Sequence, residues 1–170
     1  MEHTTSIASP VGRLLLASDG AALTALQFAG AGPAVRRTGG RGPGTAGAEA
    51  LFRQARRELA EYFAGSRRNF SVPVAPRGTP FQQRVWGALR RIPHGATATY
   101  GEIARAIRSP AAVRGVGAAC ARNPLAIIVP CHRVIGAGGK LTGYAGGLAR
   151  KRALLELEAA VVPARAARAR

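Results

Sequence analysis

Apolar positions in the first part of this chain fall in short runs. Residues 6–28 hold Val11, Leu14, Leu15, Leu16, then Leu23, Leu26 and Phe28, and read as two strands joined at the Asp19-Gly20 turn. From Ala29 to Gly47 the chain is rich in Gly, Pro, Ala and Arg without periodicity, which predicts a mobile loop. The spacing then becomes helical. Between Ala48 and Ala64, Leu51, Phe52, Ala55, Leu59 and Phe63 share one face, with Gly65 as the stop, so these aromatics belong to a core. Phe70 to Arg77, with Pro73 and Pro76, reads as an extended connector and sets a domain boundary near residue 75.

Beyond that boundary the pattern is mostly helical. Thr79-Pro80-Phe81-Gln82 combines an N-cap, a proline at the first helical position and a capping-box glutamine. Phe81, Val85, Leu89 and Ile92 continue as an apolar stripe ended by Pro93 and Gly95, with Trp86 in the core and His94 at the helix end. Thr99-Tyr100-Gly101-Glu102 is a second capping box, opening a short helix through Ile107. Ser109-Pro110 predicts a third helix running to Arg122 and stopped by Asn123-Pro124. Two short helices joined by a tight turn outline a helix-turn-helix. The second of them carries Gly115, Gly117, Ala118 and Ala119, which weaken a helix but let a partner approach its backbone. Another helix would make these residues packing. With Arg114 and Arg122 on the same segment, the reading preferred is a thin helix entering a minor groove only about 6 Å wide. The fold class expected is α/β, with a small N-terminal α/β domain over residues 1–75 and a mostly helical C-terminal domain over 76–170.

Composition narrows the function classes. The chain has 170 residues, 47% of them hydrophobic, enough for a real core. No stretch approaches the length of a membrane span and the N-terminus has no secretory pattern, so a cytoplasmic protein is expected. Two cysteines, Cys120 and Cys131, build neither a disulfide framework nor a four-cysteine zinc site. The net charge of +17 points to a polyanion, and its distribution is uneven. Residues 1–75 hold 9 basic and 5 acidic side chains, residues 76–170 hold 16 and 3, so the excess lies in the half that carries Cys131.

The densest chemical signal is Pro130-Cys131-His132-Arg133-Val134, after the apolar run Leu125-Ala126-Ile127-Ile128-Val129. That run predicts a buried strand presenting the thiol at its end. A thiol of ordinary pKa, about 8.5, needs a base to react near neutrality, and His132 is the adjacent base. Because neighbours in a strand point to opposite faces, His132 is expected to reach Cys131 only through an intermediary. Glu158, near the end of the last helical stretch, opposes the helix dipole there and so calls for a cationic or histidine partner.

Tyr100, Arg114, Asn123, Ile-Val-Pro-Cys-His-Arg-Val, Gly143-Tyr144-Ala145-Gly146-Gly147 and Leu155-Glu156-Leu157-Glu158, in this order, resemble the O6-alkylguanine-DNA alkyltransferases over nearly the whole chain. The resemblance implies direct reversal of O6-alkylguanine, or O4-alkylthymine, in double-stranded DNA. The alkyl group passes irreversibly to Cys131, without metal or other cofactor. It also implies roles for particular residues. His132 and Glu158 form a proton relay with Cys131 through a water, Asn123 bonds near the thiol, and Tyr100 assists flipping and meets the leaving guanine. Arg114 takes the place of the extruded nucleotide, with Gly115, Gly117, Ala118 and Arg122 as the surrounding DNA contact. Val134, Tyr144, Ala145, Gly146 and Lys151 surround the substrate pocket, and Ala145 offers only a backbone amide where some relatives have a serine. The protein is expected to act as a monomer. Three rivals share features with this reading: a non-catalytic alkylated-DNA binder, which Cys131 opposes; a Cys-His thiol hydrolase, which leaves the small-residue helix unexplained; and a DNA-packing protein without chemistry.

Overall fold

A computed structural model describes residues 2–31 and 46–161. The first unit is a three-stranded antiparallel meander, β1 (His3–Ile7), β2 (Leu14–Ser18) and β3 (Leu23–Phe28), in that spatial order. The hairpin read from the sequence is β2–β3. Asp19 closes its turn by accepting from the Ala21 and Ala22 amides, 3.0 Å each, and Gly20 takes φ +99°. β1 is an addition to the expectation, since its polar His-Thr-Thr-Ser carries no apolar signal and its pairing with β2 supplies the reason for its conformation. The helix α1 (Ala46–Phe63) buries Leu51, Ala55, Leu59 and Tyr62 and ends at Gly65, φ +76°. It begins two residues before the start expected, and the loop expected between Ala29 and Gly47 lies largely outside the described residues.

The rest is helical apart from two short strands. α2 (Pro80–Leu89) and α3 (Tyr100–Ala106) each open with a complete capping box, Thr79 with Gln82 and Thr99 with Glu102. α4 (Val113–Ala121) follows, and α5 (Leu148–Val161) closes the described chain. β4 (Ala98–Thr99) pairs in parallel with β5 (Val134–Ile135), tying the start of α3 to the residues after the cysteine. Trp86 is buried, and its indole N–H donates 2.9 Å to the Ala119 carbonyl, locking α2 to α4. α4 starts later than expected. Ser109 to Ala112 form a turn, closed by the Ala112 amide on the Ser109 carbonyl at 2.9 Å, and Arg108 before it has φ +56°. The architecture is α/β, with a small N-terminal α/β domain and a mostly helical remainder containing the helix-turn-helix α3–α4.

The expected strand at Leu125–Val129 is absent; the segment is a buried turn. The Ile128 amide bonds the Ala126 carbonyl across Ile127, and the Val129 amide bonds the Leu125 carbonyl, 2.8 Å each. Ile127, with φ +71°, is a β-branched residue in left-handed space, a conformation that costs roughly 1–3 kcal/mol and persists only where its surroundings enforce it. The enforcement comes from two sides. The edge of β3 grips the turn through Leu26 N to Pro124 O (2.7 Å) and Ala126 N to Leu26 O (2.8 Å). Asn123 staples its inside, taking the Leu125 amide on Oδ1 (3.0 Å) and donating Nδ2 to the Val129 carbonyl (2.7 Å). The same β3 edge binds the connector through Leu23 to Pro73 and Ala75, so no strand edge is left for an open ladder there.

Candidate active site

Cys131 leaves this turn directly. Its amide bonds the Val129 carbonyl at 2.8 Å across Pro130, and Cys131–Arg133 form one turn of 3₁₀ helix rather than an extended strand. The thiol is 6% exposed and accepts from Asn123 Nδ2 at 3.1 Å. Asn123 thus holds both the turn and the sulfur, and the C-cap position of α4 belongs to Arg122. Burial pushes the Cys131 thiol up, against the opposing pull of the Asn123 amide and the Lys151 charge. Cys131 rests as a thiol.

The 3₁₀ turn sends His132 and Arg133 to one buried carboxylate, Glu158. Its Oε1 accepts from His132 Nε2 (2.8 Å), Tyr62 Oη (2.8 Å) and Arg133 Nη2 (2.9 Å), and its Oε2 from Arg133 Nε (2.9 Å) and the Gly95 amide (3.2 Å). Arg133 Nη1 donates a further 2.7 Å bond to the Ile92 carbonyl. Burial alone would raise the Glu158 pKa, but the hydrogen bonds from His132 and Arg133 outweigh it and hold the carboxyl well below the usual range. An ionised Glu158 can only accept, so His132 carries its hydrogen on Nε2. Its Nδ1 is buried with no hydrogen-bond partner, and burial lowers the imidazole pKa, so the ring rests neutral with one basic nitrogen uncommitted. No hydrogen bond joins Cys131 to His132.

Beside the thiol lies a recess of about 420 Å³. Tyr100, Gly117, Cys120 and Ala121 line one part of it and Thr142, Gly143, Tyr144 and Ala145 another. Arg150 fastens the loop carrying Tyr144 to the N-terminal sheet, donating to the Val11 carbonyl (2.8 Å) and the Gly146 carbonyl (2.9 Å) and stacking over Phe28 at 5.0 Å. Lys151 is fully buried behind the loop, with Nζ 2.7 Å from the Thr142 carbonyl and 6.0 Å from the Tyr100 ring centre. Burial pushes the Tyr100 hydroxyl up, which keeps it a proton donor.

Of the residues singled out in the sequence, Cys131, Tyr100, Gly117, Tyr144 and Ala145 meet at this recess, with Asn123, His132 and Glu158 behind the thiol. Val134 does not line it; it is fully buried in β5 opposite Ala98. Gly146 is buried against Phe28, where a methyl would sit 2.7 Å from the ring, and Lys151 braces the wall from outside. Arg114, Ala118 and Arg122 are exposed on α4, while Gly115 turns toward α2, where an added Cβ would lie 3.2 Å from the Phe81 ring. Its small size serves helix packing. The sequence reading missed Arg133 and Tyr62 as partners of Glu158, and Cys120 and Thr142 in the wall. Arg133 stood inside the motif. Cys120 follows Gly117 by three residues on one helix, a same-face spacing that could have placed it. Tyr62 has no local signal.

Among the described residues, no three His, Cys, Asp or Glu side chains are grouped to hold a metal, and no helix is long and apolar enough to cross a membrane.

Residues 80–160 match the family described as 6-O-methylguanine DNA methyltransferase, DNA binding domain, and residues 3–76 match its ribonuclease-like domain. The chain belongs to the 6-O-methylguanine DNA methyltransferase family. A methylated-DNA–protein-cysteine methyltransferase of Mycobacterium tuberculosis is 52% identical over 165 residues, 96% of each chain. One from Methanosarcina acetivorans is 62% identical over 110 residues, 65% of this chain and 70% of that protein. A crystal structure of Mycobacterium tuberculosis OGT in complex with DNA superposes with a TM-score of 0.84 at 52% identity, over 95% of this chain and 96% of that one. In this methyltransferase family member, the DNA-binding match spans α2 to α5 and so contains the helix-turn-helix, Cys131 and Glu158.

Proposed function

We propose that the protein repairs alkylated double-stranded DNA by moving the alkyl group from guanine O6, or thymine O4, onto its own Cys131. The observation that carries this reading is the buried Cys131 thiol beside an open recess, backed by the His132–Glu158–Arg133 cluster and flanked by α3–α4. The flipped base enters the recess. Cys131 sulfur attacks the alkyl carbon, a carbon–sulfur bond forms, and the carbon–oxygen bond breaks with its electron pair leaving on oxygen. The thiol proton passes to His132 Nδ1 through a bridging water, and Glu158 stabilises the imidazolium from Nε2. Tyr100 donates a hydrogen bond to the departing guanine anion, which gains one proton from water, while His132 releases the thiol proton to water and returns to neutral. The thioether left on Cys131 has no leaving group that water displaces, so each molecule reacts once.

DNA contact falls to the exposed face of α4. Arg114, at its start, fills the space left by the extruded nucleotide, Ala118 and Arg122 lie along the groove, and the small Gly117 keeps the helix thin at the recess. The protein works as a monomer, without metal or organic cofactor, and two free thiols fit the reducing cytoplasm. The test is a duplex oligonucleotide carrying O6-methylguanine, mixed with the full chain and read by intact mass and peptide mapping. One methyl group on Cys131 per molecule and no further turnover is expected. An unmodified Cys131 after exposure to lesion DNA rejects the reading, however tight the complex. Repeated turnover on an ester or peptide would favour a thiol hydrolase instead.

A further inference from the structure

Four buried polar side-chain atoms among the described residues have no hydrogen-bond partner: both ring nitrogens of His94, Nδ1 of His132, and the hydroxyl of Tyr144. The proposed proton transfer uses His132 Nδ1. Nothing in it uses the Tyr144 hydroxyl. A buried phenol without a partner gives up its hydration for no return, so a retained one points to something it meets during the reaction.

The ring has a fixed place. The Tyr144 carbonyl accepts from the Gly147 amide at 2.9 Å, and the ring edge packs on Phe28 with centroids 6.0 Å apart at 67°. Gly146 lies so close that an added methyl would stand 2.8 Å from Tyr144 Cε1. Tyr144 and Cys131 together line both the main recess and a smaller one behind it, reaching Phe28 and Ala31. The residue as a whole is part-exposed, yet its hydroxyl oxygen is buried and has no partner in the resting state, and it stands near enough to Cys131 for the charge of the sulfur to act on it. The sulfur itself has one side-chain hydrogen bond, from Asn123.

We propose that the Tyr144 hydroxyl donates a hydrogen bond to the Cys131 sulfur as it becomes a thiolate, and so helps set the pH at which the thiol reacts. The inference rests on the alkyl-transfer reading above. No bond to Tyr144 forms or breaks; its hydrogen stays on oxygen throughout. Burial first, then the charges of Cys131, Tyr62 and Glu158, push the phenol well above its ordinary value against the pull of Arg150, so it remains an O–H donor. Around the sulfur stand the Asn123 amide and Lys151, with the Cys120 thiol and neutral His132 nearby. The Tyr100 hydroxyl also lies near enough to sense the charge of Cys131, but it is hydrogen-bonded with Thr142 and is assigned above to the departing guanine, which leaves Tyr144 as the hydroxyl without a partner.

The test compares the full-length protein with Tyr144→Phe, reacted with free O6-methylguanine base and, in a Cys120→Ser background, with iodoacetamide. Single-turnover rates are followed across about pH 5.5 to 9.5. Tyr144→Phe is expected to react about tenfold more slowly at neutral pH, with the difference closing as pH rises and the rate midpoint displaced upward by about one unit. Its thermal midpoint should be equal to or above that of the parent, since the change removes an unpartnered buried group. An equal loss at every pH, or no loss, overturns the proposal. Should Tyr144→Phe fail to fold, difluorotyrosine at position 144, a stronger donor, must move the midpoint downward, and an unmoved midpoint again overturns it. If the parent itself leaves Cys131 unalkylated, the functional reading falls, whereas an alkylated parent with an unshifted variant removes only the role of Tyr144.

Discussion

Glu158→Gln is a nearly isosteric change with a large predicted cost. Five donors converge on this fully buried carboxylate: His132 Nε2, Tyr62 Oη, Arg133 Nε and Nη2, and the Gly95 amide. A glutamine offers one oxygen, and its NH₂ must face donors on the other side. If the amide oxygen takes the place of Oε1, Arg133 Nε and Gly95 N lose their acceptor; the reverse placement strands three donors. Each unsatisfied buried donor costs about 1–3 kcal/mol, and Arg133 is left as a buried charge without its counter-ion, for which about 3–5 kcal/mol is typical. These overlap rather than add, so the loss expected is about 3–5 kcal/mol, a large share of the roughly 5–15 kcal/mol that holds a domain together. Urea unfolding followed by the fluorescence of Trp86, the chain's one tryptophan and a buried one, reads this directly. The pH dependence adds a second signature. Glu158 is held below its unfolded value of 4.5, so the unfolded chain takes the proton first; its contribution is present above pH 4.5 and lost as pH falls through the folded value. His132 is held below 6.5, so acid also favours the unfolded chain from about that pH downward. The parent should lose stability in both steps. Glu158→Gln should keep the His132 step and show a smaller one below pH 4.5, carried by other lowered carboxylates such as buried Glu58. A variant within about 1 kcal/mol of the parent at neutral pH would refute the account of the cluster.

Arg114→Ala should slow repair in duplex DNA by about tenfold or more while leaving reaction with the free modified base within about twofold, because an exposed side chain on α4 acts on the DNA and not on the thiol. Equal losses in the two rate assays would reject the finger role. Cys120→Ser should still accept one alkyl group per molecule, on the peptide containing Cys131, since burial pushes the Cys120 thiol up to about 12 and leaves it a poor nucleophile. A halved label, or a second labelled peptide in the parent, would show that both sulfurs react.

What the sequence revealed was governed by locality. The two capping boxes are reciprocal bonds between residues three apart, and both stand where the Thr-x-x-Gln and Thr-x-x-Glu patterns put them. The Asp19-Gly20 turn is equally local. Leu125–Val129 is buried, as its composition predicts, but is a turn and not a strand, because a continuous apolar run does not distinguish the two. The deciding interaction is the Asn123 side chain, which satisfies the backbone groups at Leu125 and Val129 that a neighbouring strand would otherwise claim. The same substitution of turn for strand changes why His132 faces away from Cys131: the 3₁₀ turn aims it at Glu158. The partner expected for Glu158 is present, but Arg133 and Tyr62 share it, and the bond from Tyr62 spans 96 residues. No spacing rule reaches that far.

Burial raises the thiol where reactive cysteines are more often lowered, and on the proposed single-use chemistry this is consistent rather than contradictory. A resting thiolate is the form open to oxidation and to stray electrophiles, and a sulfur that can be spent only once loses its function to either. Keeping Cys131 protonated protects it, provided that a base is available when the alkylated base arrives. The buried cluster supplies one without an added charge: neutral His132, Glu158 and Arg133 sum to zero, and they still do with Cys131 as thiolate and His132 as imidazolium. Proton transfer therefore rearranges charge inside the cluster and never requires a net charge to be created there, which in a low-dielectric interior is the costly step. Arg133 is essential to that balance. Without it, Glu158 would keep the Tyr62 hydroxyl and the Gly95 amide but no counter-ion, and its charge would favour a proton on His132 in the resting state, occupying the one nitrogen able to accept from the thiol.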